Sequence, residues 1–155
     1  SSLSKGSSVF LSNEKSFNIK LATELASICG QRVLLESHPK LDNQIVCSSY
    51  DWWLNKLHLI YPPDQIIIPL LPFPNMVEPL NQETISFLRS QSKNWFREFM
   101  FPEAFQLIDK AISPLRKNSG KLIILDGRIS NRKWGRDMLK MIQPQKVITY
   151  MYPFD

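Results

Sequence analysis

The amino-acid sequence predicts an α/β domain in which a mainly parallel sheet is covered by helices on both faces. Short apolar runs bounded by turn residues recur along the chain, helical patterns separate most of them, and no internal repeat interrupts the alternation. Strands separated by helical patterns of this length indicate βαβ units with right-handed crossovers, because parallel strands need a long connection. One sheet between two helical layers is the expected architecture.

Six runs are predicted to form the strands of this sheet. In chain order they cover residues 8–11, 32–36, 44–48, 66–70, 122–125 and 146–150. The run at 122–125 is continuous and apolar, and it follows the turn residues Asn118, Ser119 and Gly120. This pattern predicts a strand that is buried on both faces of the sheet.

Helices are predicted between these strands. Residues 17–28 carry apolar residues at helical spacing, and Gly30 is predicted to end that helix. Residues 78–117 are predicted to be mainly helical. A last helix follows residue 126, with Ser130 or Asn131 as its N-cap.

The last predicted helix has two distinct faces. Arg132, Arg136 and Lys140 recur every four residues beside Lys133 and form a basic face. The opposite face is predicted to pack on the core and carries Trp134, Met138, Leu139, Met141 and Ile142. The spacing is compatible with a phosphate-binding face, but on its own it favours an ordinary solvated face.

Asp126, Gly127 and Arg128 stand at the carboxyl end of the strand before this helix. In open α/β sheets, ligands bind in the crevice outside the carboxyl ends of the strands. A structural role is the favoured alternative for Asp126, which can cap the helix and pair with Arg128 or Arg132.

Composition suits one globular domain over residues 1–155, since 43% of the residues are apolar. The chain begins Ser1-Ser2-Leu3 without a methionine, so we expect a piece of a longer polypeptide. A net charge of +5 favours an anionic partner without distinguishing DNA, RNA and a membrane surface.

Membrane and metal functions are not predicted. Proline interrupts the longest apolar stretch, residues 66–73, which is far shorter than the ~20 residues of a membrane span. Cys29 and Cys47 form no CxxC pair, and His38 and His58 are isolated, so we expect neither a disulfide framework nor a metal site. The N-terminus shows no signal sequence, which together with the cysteine usage predicts a cytoplasmic protein.

Residues 125–139, LDGRISNRKWGRDML, resemble a segment of the DinG and XPD branch of superfamily 2 DNA helicases, which reads approximately ILDxRxxxxxYGRxFL. Three further segments resemble this family in the same order: VFLS at residues 9–12, LPFP at residues 71–74 and FPEAF at residues 101–105. The resemblance implies the second motor domain of an ATP-dependent DNA helicase. It also implies a RecA-like three-layer fold.

The family's QGxGRxIR segment, whose arginines stabilise charge on the transferred phosphoryl group, falls on residues 110–117. Lys110 stands at the glutamine position and Pro114 at the first arginine, and proline has no guanidinium group. The resemblance therefore implies no intact catalytic residue. Only Arg116 and Lys117 are expected to face the nucleotide.

The family's SFWEGVD segment is also altered, because Trp53 keeps the tryptophan whereas Leu54-Asn55-Lys56-Leu57 replaces the residues after it. We expect either Trp52 or Trp53 to be buried and the other to be available as a base-stacking platform. The resemblance and the basic charge together imply contacts to DNA, with a single strand favoured, from Ser12, Asn13, Ser48, Ser49, Trp53, Arg128, Arg132 and Arg136.

ATP chemistry requires a partner domain in this interpretation. A phosphate-binding loop of the GxxxxGKS/T type is absent from the sequence, so the chain alone should not hydrolyse ATP. ATP and Mg²⁺ are expected only in the full protein, together with an N-terminal RecA-like domain. Two hypotheses remain: half of an active helicase, or a degenerate domain that serves as a nucleic-acid-binding or protein-interaction scaffold.

Overall fold

Five parallel strands form the centre of the fold. The computed structural model describes residues 7–30, 33–35, 45–57 and 63–143. Among them the sheet has the order β2-β3-β1-β4-β5, and every neighbouring pair is parallel. The strands are β1 (Ser8–Leu11), β2 (Val33–Leu35), β3 (Ile45–Ser48), β4 (Gln65–Ile68) and β5 (Lys121–Ile124). The predicted parallel α/β fold is confirmed, whereas the strand predicted at residues 146–150 lies outside the described residues.

Helices connect the strands and cover the sheet. The described helices are α1 (Lys15–Cys29), α2 (Tyr50–Trp52), α3 (Pro79–Ser90), α4 (Phe101–Ala111), α5 (Ser113–Asn118), α6 (Arg128–Asn131) and α7 (Lys133–Ile142). A π-helical turn, Trp53–Leu57, continues α2, and a second one, Phe96–Met100, leads into α4. As predicted, α1 ends at Gly30, whose φ of 64° is left-handed and is easily adopted by glycine.

The two faces of the sheet belong to different cores. Alternation along β1 illustrates this, because Val9 and Leu11 face one core and Phe10 faces the other. The first core packs against α2, α4, α5, α6 and α7, and the second packs against α1 through Ala22 and Leu25. The fold is therefore a three-layer α/β fold of the RecA-like type.

The strand before Asp126 is less buried than its apolar sequence predicts. β5 lies at one edge of the described sheet, its residues 122–124 are half-buried, and Leu125 is 56% exposed. An apolar run specifies burial of at least one face but does not specify the strand order, so the prediction of burial on both faces was wrong. β4 is also shorter than predicted and ends at Ile68, directly before Pro69.

The last helix is broken in two. Arg132 has extended backbone angles (φ −101°, ψ 144°) between α6 and α7 and precedes the first residue of α7 without a side-chain cap. Ser130 and Asn131 lie within α6, so neither caps α7 as predicted. On the apolar face, Met138 and Ile142 are buried, but Met141 is exposed.

Gly135 allows α6 and α7 to pack closely. A Cβ atom at this position would collide with the backbone of Ile129, including its carbonyl oxygen. Ile129 itself is buried in the first core, so its backbone cannot move away without disturbing that core. The small residue therefore determines how the basic helix sits on the sheet.

We expect Gly135→Ala to lower the free energy of unfolding by about 1–3 kcal/mol, because overpacking outweighs the better helix propensity of alanine. Urea unfolding would measure the change. Gly127→Ala is the matched control, because a Cβ there meets only the Asn131 side chain at 3.7 Å and Gly127 has an ordinary φ of −60°. Equal unfolding midpoints for the two variants would contradict the proposed close packing.

Candidate nucleic-acid interface

Hydrogen bonds that involve the backbone join the carboxyl ends of β1 and β3. The backbone N–H of Ser12 donates to the carbonyl of Ser48 at 3.0 Å, and the Asn13 side-chain oxygen accepts from the N–H of Tyr50 at 3.1 Å. The Ser49 hydroxyl accepts from the N–H of Trp52 at 3.2 Å and caps α2. The four predicted polar residues Ser12, Asn13, Ser48 and Ser49 are thus brought together.

These four residues differ in their exposure to solvent. Asn13 is exposed and Ser49 is half-buried, whereas Ser12 and Ser48 are buried. The Ser48 hydroxyl donates to the carbonyl of Ser49 at 2.7 Å. Because a fully buried hydroxyl cannot contact a nucleic-acid strand, the prediction for Ser48 is corrected.

Asn18 and Tyr50 lie beneath this edge and were not singled out in the sequence. Asn18 donates from its side-chain nitrogen to the carbonyl of Ser12 at 2.8 Å, but its side-chain oxygen is buried without a hydrogen-bond partner among the described residues. The Tyr50 hydroxyl is in the same situation, and burial raises its pKa. Neither residue belongs to a recognisable motif, so no sequence signal marks them.

Trp53 is part of the core. Its ring is fully buried, and its Nε1–H donates to the carbonyl of Ala111, the last residue of α4, at 2.9 Å. The prediction that one of the two tryptophans is buried is confirmed, but the assignment of Trp53 to nucleic-acid binding is corrected because its ring is inaccessible. Trp52 is half-buried and packs against the first core.

Asp126 connects the ends of β4 and β5. Its carboxylate accepts from the backbone N–H of Leu71 at 3.0 Å, and from Nε and Nη2 of Arg128 at 2.9 Å and 2.6 Å. The side chain of Asp126 is buried, whereas that of Arg128 is 46% exposed. The structure therefore shows the structural role considered for Asp126, in which its carboxylate pairs with Arg128.

These contacts control the protonation of Asp126. Burial on its own would raise the pKa of this carboxyl, but hydrogen bonds from Arg128 and from the Leu71 N–H, together with the guanidinium charge, hold the pKa below its ordinary value. The hydrogen bond to Asp126 also raises the pKa of Arg128, against the opposing effect of burial. The pair is therefore fully ionised at neutral pH.

An aromatic cluster supports the Arg128 side chain. Its Cζ lies over the Phe73 ring, 5.2 Å from the ring centroid, in cation–π geometry. Phe73 packs against Phe96 and Trp134, with centroid distances of 5.5 Å and 5.1 Å. Trp134 belongs to α7, so the same cluster links Arg128 to the basic helix.

The basic face of α7 is exposed and uncompensated. Arg132, Lys133, Arg136 and Lys140 are all exposed, and none has a hydrogen-bonded side chain or an ion pair within the part of the chain that the structure describes. Asp137, the only acid of α7, pairs with Arg97 at 3.0 Å. The helix therefore presents a concentrated positive charge to solvent.

Arg116 contacts two other helices of the domain. Its Nη1 pairs with the carboxylate of Asp109 at 2.9 Å, and its Nη2 donates to the carbonyl of Ile142 at the end of α7 at 3.1 Å. The contact to Ile142 stabilises the C-terminal end of α7, where a cation is favourable. Both terminal nitrogens of Arg116 therefore have partners within the domain, and its assignment to the nucleotide stays a prediction.

The remaining residues of this segment have no comparable contacts. Lys110 and Lys117 are exposed, and Pro114 is buried in the first turn of α5, where proline is tolerated because its missing N–H is not needed. The segment between α5 and β5 returns to the amino end of the sheet, since the N–H of Lys121 donates to the carbonyl of Asp64.

No group of three or more His, Cys, Asp or Glu side chains that could hold a metal ion occurs among the described residues. Within the same residues, no helix combines the length and apolar character that crossing a membrane requires. Burial raises the pKa of the Cys47 thiol to about 12, so this cysteine is not a reactive thiolate.

The fold and these segments define a helicase motor domain, and the comparisons agree. The helicase C-terminal domain family matches residues 64–145, slightly more than half of the chain. The chain therefore belongs to this family, in its DinG/XPD type.

Similarity to an individual protein supports the same family. The chain is similar to the ATP-dependent DNA helicase DinG of Photobacterium profundum, with 30% identity over 89 residues. The similarity covers 55% of this chain and 13% of the relative.

Asp126→Ala should lower the free energy of unfolding at neutral pH by about 1–3 kcal/mol, because the buried N–H of Leu71 loses its acceptor. Asp137→Ala, which removes an exposed ion pair, is the matched control and should lower it by less than about 1 kcal/mol. Urea unfolding at several pH values would measure both effects.

The effect of Asp126→Ala should depend on pH in one direction. Because the pKa of Asp126 is lower in the folded chain than its ordinary value of 3.8, its ionic contribution is present above that value and is lost as the pH falls through the folded pKa. The difference between wild type and Asp126→Ala should shrink in that acid range. A difference that is constant with pH would contradict an ionic role.

Proposed function

We propose that this chain is the second motor domain of a longer DinG-type DNA helicase and that the basic face of α7 binds the phosphates of a single DNA strand. The observation that carries the proposal is the set of four exposed cationic side chains on α7 that have no partner among the described residues. The net charge of +5 also favours binding of an anionic partner such as DNA.

The geometry of α7 suits a phosphate backbone. At 3.6 residues per turn, Lys133, Arg136 and Lys140 fall within about 60° of the helix circumference, and the step from Arg136 to Lys140 advances the row by about 6 Å. Arg132 lies at the N-cap position, directly before the first residue of α7. Arginine can bind phosphate oxygens in a bidentate manner, whereas lysine acts as a point charge. Such a row recognises a charged backbone and carries no base preference of its own.

The carboxyl ends of β1 and β3 are a second candidate contact in this proposal. Asn13 is exposed, and Ser49 is half-buried beside it. The hydrogen bond from Tyr50 to Asn13 joins the segments after the two strands, and the hydrogen bond from Trp52 to Ser49 caps α2. Short polar side chains and nearby backbone N–H groups commonly contact phosphate or sugar oxygens and position a strand.

Nucleotide chemistry is assigned to the full protein. The chain carries no phosphate-binding loop, so in this proposal an N-terminal RecA-like domain would bind ATP and Mg²⁺. Lys117 is expected at the nucleotide in this proposal and is exposed, as is Lys110 at the other end of the same segment.

A second candidate function is a degenerate domain that retains nucleic-acid binding without supporting ATP hydrolysis. The observation that favours it is the engagement of Arg116 with Asp109 and the end of α7, together with Pro114 at an arginine position. The upstream sequence of the parent protein discriminates the two candidates. An intact GxxxxGKS/T and DExH pair supports a working motor, and loss of both supports a scaffold.

Arg132→Ala combined with Arg136→Ala should weaken binding of single-stranded DNA equally for all sequences. On single strands each phosphate contact contributes about 0.7 to the slope of log affinity against log salt, so removing two contacts should flatten the slope by up to about 1.4. Fluorescence anisotropy across a salt series would measure it.

Lys15→Ala combined with Lys20→Ala is the control for this experiment. Both lysines are exposed on α1, which covers the other face of the sheet, and their removal changes the net charge by the same amount. This control should leave most of the slope intact. Equal flattening by the two double variants would show that net charge alone, rather than the α7 face, determines binding.

The isolated chain should show no tight binding of ATP and no turnover, because it lacks the loop that would surround the phosphates and Pro114 offers no guanidinium group. Isothermal titration with ATP and Mg²⁺ would test this, with single-stranded DNA titrated in the same buffer as a control for active protein. Micromolar affinity with turnover in a clean preparation would contradict this assignment.

A further inference from the structure

An acidic side chain interrupts the basic face of α7. Asp137 follows Lys133 by four residues and precedes Lys140 by three, and side chains at both spacings are neighbours on the surface of a helix. The Asp137 side chain is 42% exposed. Its carboxylate is therefore within reach of either lysine, and its charge would repel the phosphates that the proposed function places on this face.

Arg97 binds this carboxylate. Its Nη1 lies 3.0 Å from Oδ2 of Asp137, whereas neither Lys133 nor Lys140 has an ion pair within the described part of the chain. Arg97 belongs to the π-helical turn Phe96–Met100, and the two partners are 40 residues apart in the sequence. The negative charge on the basic face is thus balanced by a cation from outside α7.

The π-helical turn is attached to α7 independently of this ion pair. Phe96, the residue before Arg97, packs against Trp134 of α7 with a centroid distance of 5.4 Å. The Asn94 side chain accepts from the N–H of Arg97 at 3.1 Å and so supports the start of the turn. The backbone of Arg97 is therefore held close to α7, and only its side chain must be ordered to reach Asp137.

We propose that Arg97 is a positioning residue for the basic face, because it keeps the Asp137 carboxylate from pairing with the cations that bind phosphate. With Asp137 engaged, Lys133 and Lys140 keep their full charge for a DNA strand. This inference rests on the proposed function. It assigns no phosphate contact to Arg97 itself, since a guanidinium that is paired with a carboxylate carries no net charge as a pair.

The ion pair contributes little to folding. The Arg97 side chain is 46% exposed, and ion pairs between exposed side chains are weakened by water and by salt. Removal of Arg97 should therefore leave the domain folded, and its main consequence is the carboxylate that it releases. In Arg97→Ala, Asp137 can pair with Lys133 or Lys140, so that one cation of the row is lost to the DNA strand.

The test measures binding of a single-stranded oligothymidylate by fluorescence anisotropy across a salt series. We expect Arg97→Ala to weaken binding at low salt by roughly 1.5- to 5-fold, the range expected from coupling between exposed charges. The slope of log affinity against log salt should flatten by up to about 0.7, the value of one phosphate contact. Arg97→Ala combined with Asp137→Asn should recover the wild-type affinity and slope, because asparagine cannot form an ion pair with the row.

Two control variants separate this effect from net charge and from packing. Lys20 is exposed on α1, which covers the other face of the sheet, and Lys20→Ala changes the net charge by the same amount as Arg97→Ala. Lys20→Ala should leave the slope close to that of the wild type. Arg97→Gln keeps a side chain of similar length without its charge and should behave like Arg97→Ala.

Three results would overturn the proposal. Equal effects of Lys20→Ala and Arg97→Ala would mean that net charge alone is responsible. A double variant that binds as weakly as Arg97→Ala would mean that Arg97 contacts the strand itself. Wild-type binding by Arg97→Ala would mean that Asp137 does not act on the row.

The proposed function is tested separately by the Arg132→Ala and Arg136→Ala double variant. If that variant flattens the slope while any of the three overturning results is observed, the proposed function stands and this inference fails. If the wild-type chain binds no single-stranded DNA, the proposed function and this inference fail together.

Discussion

The buried carboxylate of Asp126 is the contact on which the candidate interface depends. It accepts hydrogen bonds from the backbone after β4 and from the backbone and side chain of Arg128, so two segments of the chain converge on one residue. A buried carboxylate is unfavourable unless its hydrogen-bonding capacity is satisfied, and four donor groups satisfy it here. Because the guanidinium of Arg128 then packs on Phe73, which packs on Trp134, the position of the basic helix follows from the same contact.

The far end of α7 is stabilised by a residue that the family uses differently. Arg116 binds the terminal carbonyl of Ile142 and the carboxylate of Asp109, so it joins α4, α5 and α7. A helix whose two ends are both attached can hold its exposed side chains in a constant row. In this chain, a cation from the segment that resembles the family's nucleotide-binding segment contributes to the scaffold that presents the basic face.

Much of the fold could be predicted from sequence because hydrophobic periodicity reports burial, and burial of short runs between helices requires a parallel sheet. The strand order could not be predicted, which is why β5 was expected inside the sheet rather than at an edge of the described strands. Side-chain accessibility could not be predicted from the sequence either. Trp53 and Ser48 match positions that the family resemblance assigns to DNA, yet both are fully buried. A motif specifies which residue types are present, whereas the packing of α4 against Trp53 decides whether the ring can be reached.

In the proposed function, nucleic-acid binding and ATP coupling depend on separate parts of this domain. The cationic row on α7 and the exposed Arg128 side chain lie within residues 128–140, inside the part of the chain that matches the family. The altered segment at residues 110–117 has lost an arginine position and uses its remaining arginine internally. Loss of the second segment does not disturb the first, because Pro114 is accommodated in the first turn of a helix and Arg116 stabilises α7. Under this proposal, the domain can lose its part in ATP hydrolysis while its surface for a DNA strand stays intact.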